Sequence, residues 1–99
     1  MSRDDPRLIR LANEDNIVVL GATIHTGETV LVDGELITVP QTLGMGHKIA
    51  SRAIHTDEDI LKYGMPIGFA ACDIARGEHV HLHNLTSRYT PIEIMETQA

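Results

Sequence analysis

A chain of 99 residues with 42% hydrophobic side chains and a formal net charge of −6 suits one compact domain, with no room for a second core, and excludes wholesale disorder. Its eight Lys and Arg are scattered along the sequence, so it lacks the basic surface with which a nucleic-acid binder neutralises phosphates. The longest apolar runs are a handful of residues, against the ~20 needed to span a bilayer, and no membrane partner is expected.

Near the N-terminus, Arg3-Asp4-Asp5-Pro6 mixes charges where a signal peptide carries an apolar stretch. Pro6 to Asn13 is short and weakly periodic, enough for one helical turn at most. Ile17-Val18-Val19-Leu20, Thr29-Val30-Leu31-Val32 and Leu36-Ile37-Thr38-Val39 read as strands. Asp33-Gly34 between the last two predicts a hairpin, because Asp-Gly readily takes the positive φ angles of a type I′ turn. Lys48 to Ala53 is a second weak helical candidate. Further turn signals fall at Asp15-Asn16, Thr26-Gly27, Gly44-Met45-Gly46, Thr56-Asp57, Tyr63-Gly64 and Arg76-Gly77. That spacing predicts a small all-β sandwich or barrel-like module. The lone cysteine, Cys72, follows Ala70-Ala71 and is expected to be a buried, inert thiol in a reducing, cytoplasmic setting.

One short pattern recurs. Ile24-His25-Thr26-Gly27-Glu28, Ile54-His55-Thr56-Asp57-Glu58 and Ile74-Ala75-Arg76-Gly77-Glu78 share an Ile, a turn residue and a Glu at fixed offsets. Intervals of about thirty and twenty residues exclude a solenoid, so these read as repeated corners of a compact β fold.

The chemistry lies in the histidines. Three of six occur in His79-Val80-His81-Leu82-His83-Asn84. On a strand, His79, His81 and His83 would share one face, about 7 Å apart between neighbours. Val80 and Leu82 would face the core. Such a row suits a polar wall supplying acid–base or hydrogen-bonding groups, with one imidazole able to meet a metal or substrate oxygen. In Gly44-Met45-Gly46-His47-Lys48, the glycines permit close backbone approach, and His47 and Lys48 are donors for a carboxylate or sulfonate. His25 and His55 occupy turn corners and read as surface histidines. Phosphate-cradling loops, Cys-x-x-Cys motifs and nucleophile elbows are all missing from the sequence.

Gly46-His47-Lys48-Ile49-Ala50, Lys62-Tyr63-Gly64, Ile67-Gly68, Ile74, Gly77-Glu78-His79-Val80-His81 and His83-Asn84 together resemble the SAF domain of the altronate/galactarate dehydratase family. The resemblance implies a β-clip (SAF-like) domain with little helix over residues 13–88, flanked by an extension at 1–12 and a tail at 89–99. That tail could add a strand to a partner. It further implies the small subunit of a two-component lyase, inactive alone and completed by a large catalytic subunit in a homo- or hetero-oligomer. Its substrate would be an anionic sugar acid losing water, or 3-sulfolactate losing sulfite as in a sulfolactate sulfo-lyase alpha subunit. On this reading His79, His81 and His83 face the shared active site, while His47, Lys48 and Asn84 hold the substrate. A divalent metal, Fe2+ or Mn2+, is held mostly by the large subunit, with His81 as this chain's candidate ligand. Thr42-Leu43-Gly44-Met45 and His25 depart from the family pattern and leave the substrate open. A non-catalytic carbohydrate-binding or structural module is the competing class, weakened by the scarcity of aromatic platforms: one Phe, two Tyr and no Trp.

Overall fold

The computed structural model describes residues 3–81 and 83–86, in which strands and turns alternate without a helix. In chain order these are β1 (Leu8–Ile9), β2 (Ile17–Leu20), β3 (Thr29–Val32), β4 (Glu35–Thr38), β5 (Lys48–Ala50), β6 (Asp59–Lys62), β7 (Met65–Ala70), β8 (His79–Val80) and β9 (Leu85–Thr86). The two stretches weighed as helical turns instead hold β1 and β5. Their apolar residues pair with β2, Leu8 opposite Leu20 and Ile49 opposite Val18. Among the described residues no helix is long and apolar enough to cross a membrane.

The β1-β2-β5-β8 sheet is antiparallel throughout and lies between two hydrophobic clusters. Side chains alternate faces along a strand, and both faces are buried. Val18, Leu20 and Ile49 join Ile24, Val30, Val32, Val39 and Leu43 in one cluster. Ile17, Ala50 and Val80 join Ile54, Ile60, Ala70 and Ile74 in the other. The expectation of a single core therefore fails. A sheet covered twice divides a small aliphatic content into two cores, each Ile or Val contributing roughly 1.5–3 kcal/mol when fully buried.

The β3–β4 hairpin covers one face and the β6-β7-β9 sheet the other. Both hairpins turn on paired positive φ angles, 49° and 84° at Asp33-Gly34 and 57° and 73° at Tyr63-Gly64. Asp15 caps the second turn, accepting from the backbone N–H groups of Tyr63 and Gly64. Asp4 does the same for Asp33.

All three corners recognised in the sequence are present, and residues 43–47 form a fourth. At position four, Gly27, Gly46, Asp57 and Gly77 have φ of 88°, 92°, 71° and 84°. At position five, Glu28, His47, Glu58 and Glu78 donate their backbone N–H to the carbonyl three residues back. Ile24 bridges Leu43, and Ile54 bridges Ile74. The bonds Leu20 N–H to His47 O and Gly46 N–H to Leu20 O recur as Ala50 N–H to Glu78 O and Gly77 N–H to Ala50 O. Residues 20–47 and 50–78 are thus two copies of one unit.

Three sequence expectations are corrected. Residues 3–12 are not an appendage: Leu8 is core, and Arg7 joins Asp5 to Glu28 while Arg10 joins Asp4. Cys72 is exposed, because only Ala70 of the Ala70-Ala71-Cys72 run reaches the core before the chain turns. The strand foreseen over residues 79–82 ends at Val80. Val80 is fully buried as expected, whereas Leu82 and the tail at 89–99 lie outside the described residues.

Candidate functional site

Pairing of β5 with β8 sets Ile49 opposite His79 and Lys48 opposite Val80. His79 therefore stands on the first-cluster face of the sheet, together with His47 at the end of the fourth corner. His47 Nδ1 lies 3.1 Å from His79 Nε2, and Gln41 Nε2 lies 3.3 Å from His79 Nδ1. The imidazole centroids of His47 are 5.0 Å from those of His79 and 6.0 Å from those of His81.

Past Val80 the chain turns. Buried Asn84 accepts the His81 N–H through Oδ1 and donates through Nδ2 to the His79 carbonyl, while Asn84 N–H bonds the His81 carbonyl. These bonds replace a strand ladder with a tight turn and fold the row onto itself. The His79 ring stacks on His81 at 5.4 Å and lies 5.7 Å from His83. The histidines come closer together than an extended strand allows, and His47 joins them from a sequence distance of 32 residues.

Burial, followed by the charges of His47, His81, His83 and Lys48, holds the His79 pKa below its ordinary value. Its ring is accordingly biased towards the neutral form. Lys48 does not join the cluster's face: it points with Val80 towards the second core, and burial plus the Lys62 ammonium lower its pKa. Asn84 is fully buried with both ends of its carboxamide engaged, so it organises the turn. His25 and His55 are exposed on separate corners.

Beside the cluster is a pocket of ≈ 160 Å³ bordered by Pro40, Gln41, Gly77, Glu78, His79 and His83. Gly77 makes the close approach possible, because a Cβ there would collide with the Ile37 side chain of the first hairpin. Among the described residues no group of three or more His, Cys, Asp or Glu could hold a metal ion. His47 and His79 turn ring nitrogens towards each other, and His81 is stacked on His79. Gln41 was missed from the sequence, since only the folded loop brings it to His79.

Residues 6–88 match the model of the altronate/galactarate dehydratase SAF domain. The chain belongs to the altronate/galactarate dehydratase SAF domain family. It is 37% identical over 86 residues to an altronate dehydratase of Bacillus subtilis and 38% over 85 residues to one of Escherichia coli. Those matches take in 87% and 86% of the chain but 17% of each enzyme. It is also 40% identical over 50 residues to the (2R)-sulfolactate sulfo-lyase subunit alpha of Chromohalobacter salexigens, covering 50% of the chain and 53% of that subunit. The SAF domain is thus a module of lyase families, and this chain spans about a sixth of the altronate dehydratases it matches.

Proposed function

We propose that this chain is the small subunit of a two-component carbon–oxygen lyase that eliminates water from a sugar acid, in the manner of an altronate dehydratase. The observation that carries the reading is the convergence of His47, His79, His81 and His83 from two distant segments onto one face. Elimination needs a base for the proton beside the carboxylate and an acid for the departing hydroxyl. His79 engages both ring nitrogens, with His47 and Gln41, and so orders the cluster, while the exposed His81 and His83 suit the base and the acid that exchange protons with the substrate. Exposed His47 offers a donor to the substrate anion. Asn84 acts through the turn it holds, and Lys48 lies away from this face.

Four imidazoles and one small pocket do not make a complete catalytic set. A large subunit therefore supplies the remainder, including the ligands of the divalent metal that the resemblance implies. The much greater length of the related dehydratases supports this division. So does Met45, 73% exposed beside His47, an apolar side chain suited to being covered by a partner. A second reading, the alpha subunit of a sulfo-lyase, is favoured by the 53% coverage of a chain itself named a subunit.

The test is turnover of altronate, galactarate and 3-sulfolactate by the purified chain, with and without its large subunit. The chain alone should be inactive and the complex should dehydrate a sugar acid. Robust turnover by the chain alone would refute the division of labour. Sulfite release from 3-sulfolactate as the sole activity would favour the second reading.

A further inference from the structure

Gln41 has no role in the reading above, yet it is hydrogen-bonded to the central histidine of the cluster. Its backbone is fixed on both sides. Val39 exchanges bonds with Gly27 and Glu28, Leu43 exchanges two with Ile24, and the Thr26 N–H donates to Thr42 Oγ1. The Gln41 side chain thus reaches His79 from an anchored loop, at the rim of the pocket both residues border.

An amide nitrogen can only donate, and a neutral imidazole carries one donor and one acceptor. Gln41 Nε2 therefore requires a lone pair on His79 Nδ1, which places the His79 proton on Nε2. That Nε2–H points at His47 Nδ1, 3.1 Å away. His47 must then accept through Nδ1 and carry its own proton on Nε2, on the far side of the ring. We propose that Gln41 is a positioning residue that sets the tautomers of His79 and His47, so that exposed His47 presents an Nε2–H donor at the open side of the cluster. That donor suits a substrate oxygen that gains negative charge or departs as hydroxide; this chemical role, though not the tautomers, rests on the lyase reading.

The experiment reads tautomers directly. The full 99-residue chain, labelled with 15N, is studied by two-bond 1H–15N correlation at a pH where the 15N shifts show both rings neutral. In the wild-type chain His79 and His47 should both be Nε2–H. Free neutral imidazole favours that form too, so the decisive sample is Gln41→Glu. A carboxylate can only accept, which calls for Nδ1–H on His79, a lone pair on its Nε2, and Nδ1–H on His47. Both rings should switch together, while the backbone amide spectrum keeps its folded dispersion because Gln41 is exposed. An Nδ1–H ring at either position in the wild type overturns the proposal, as does an unchanged pair in Gln41→Glu. A switch confined to His79 overturns the link to His47. No turnover is measured, so this result and the test of the lyase reading can fail independently.

Discussion

The corner at 43–47 and its counterpart at 74–78 have the same backbone hydrogen bond and left-handed glycine, and differ in what their last residue does. Both place a left-handed glycine at position four and close with the same backbone bonds. In the second, the Glu78 carboxylate also accepts the Ala75 N–H, as Glu28 does for His25 and Glu58 for His55. In the first, His47 stands in the glutamate's place and reaches His79 instead. The comparison separates what the corner needs from what it can spare. Backbone bonds and a left-handed residue recur in all four corners, whereas the capping carboxylate is present in three. One copy of a duplicated unit gives up a local acceptor and gains a place in the histidine cluster.

The largest expected effect comes just past the second copy, in the turn after β8. Asn84→Ala leaves the His81 N–H and His79 carbonyl without their side-chain partners in a buried setting. A loss of about 2–4 kcal/mol in chemical unfolding is expected, at roughly 1–3 kcal/mol for each orphaned group with partial relief from water. An unaltered midpoint would mean that the turn does not depend on its carboxamide.

A smaller contrast tests the corners themselves. Gly27 and Gly77 have the same backbone angle, but a Cβ at 27 meets nothing within 4 Å and one at 77 collides with Ile37. Gly27→Ala should cost about 1 kcal/mol through its positive φ alone, and Gly77→Ala about 2–4 kcal/mol once overpacking against Ile37 is added. Equal losses would show that the first hairpin does not press on the second copy's corner.

The smallest effect is on pH dependence. The His79 pKa is lowered in the folded chain, so the unfolded chain binds its proton more readily. Stability from this group is whole above its ordinary value of 6.5 and falls as pH drops through that value towards the folded one. Asp5, Glu58 and Asp73, each lowered by hydrogen bonds, add losses only in the lower carboxylate range. His79→Asn should abolish the upper loss and leave the lower one, read as melting temperature against pH. Retention of the upper loss would assign it to a different group.

Much of this fold is legible where one residue dictates one angle. Asp33-Gly34 and the three Glu-ending corners announce themselves through short-range chemistry. The fourth corner escapes because His47 removes the shared glutamate, which is also why it matters. Two cores are hidden in β2, where Ile17 and Val18 serve opposite clusters and the sequence shows only an apolar run. Alternating histidines predict a strand face, but the Asn84 carboxamide wins the local backbone groups and curls the segment. The approach of His47 and Gln41 to His79 depends on β5 pairing with β8 and on an anchored loop, neither of which a local pattern encodes.

On the proposed lyase reading His47 occupies its corner position for chemistry and not for the fold, and His47→Glu tests this most directly. Glutamate restores the cap that the other three corners carry, so the melting temperature of the chain should hold or rise. Turnover by the proposed complex with a large subunit should fall by ~10²–10³-fold, the range for losing one donor to a developing anion. A variant that melts earlier while retaining full turnover would contradict the account.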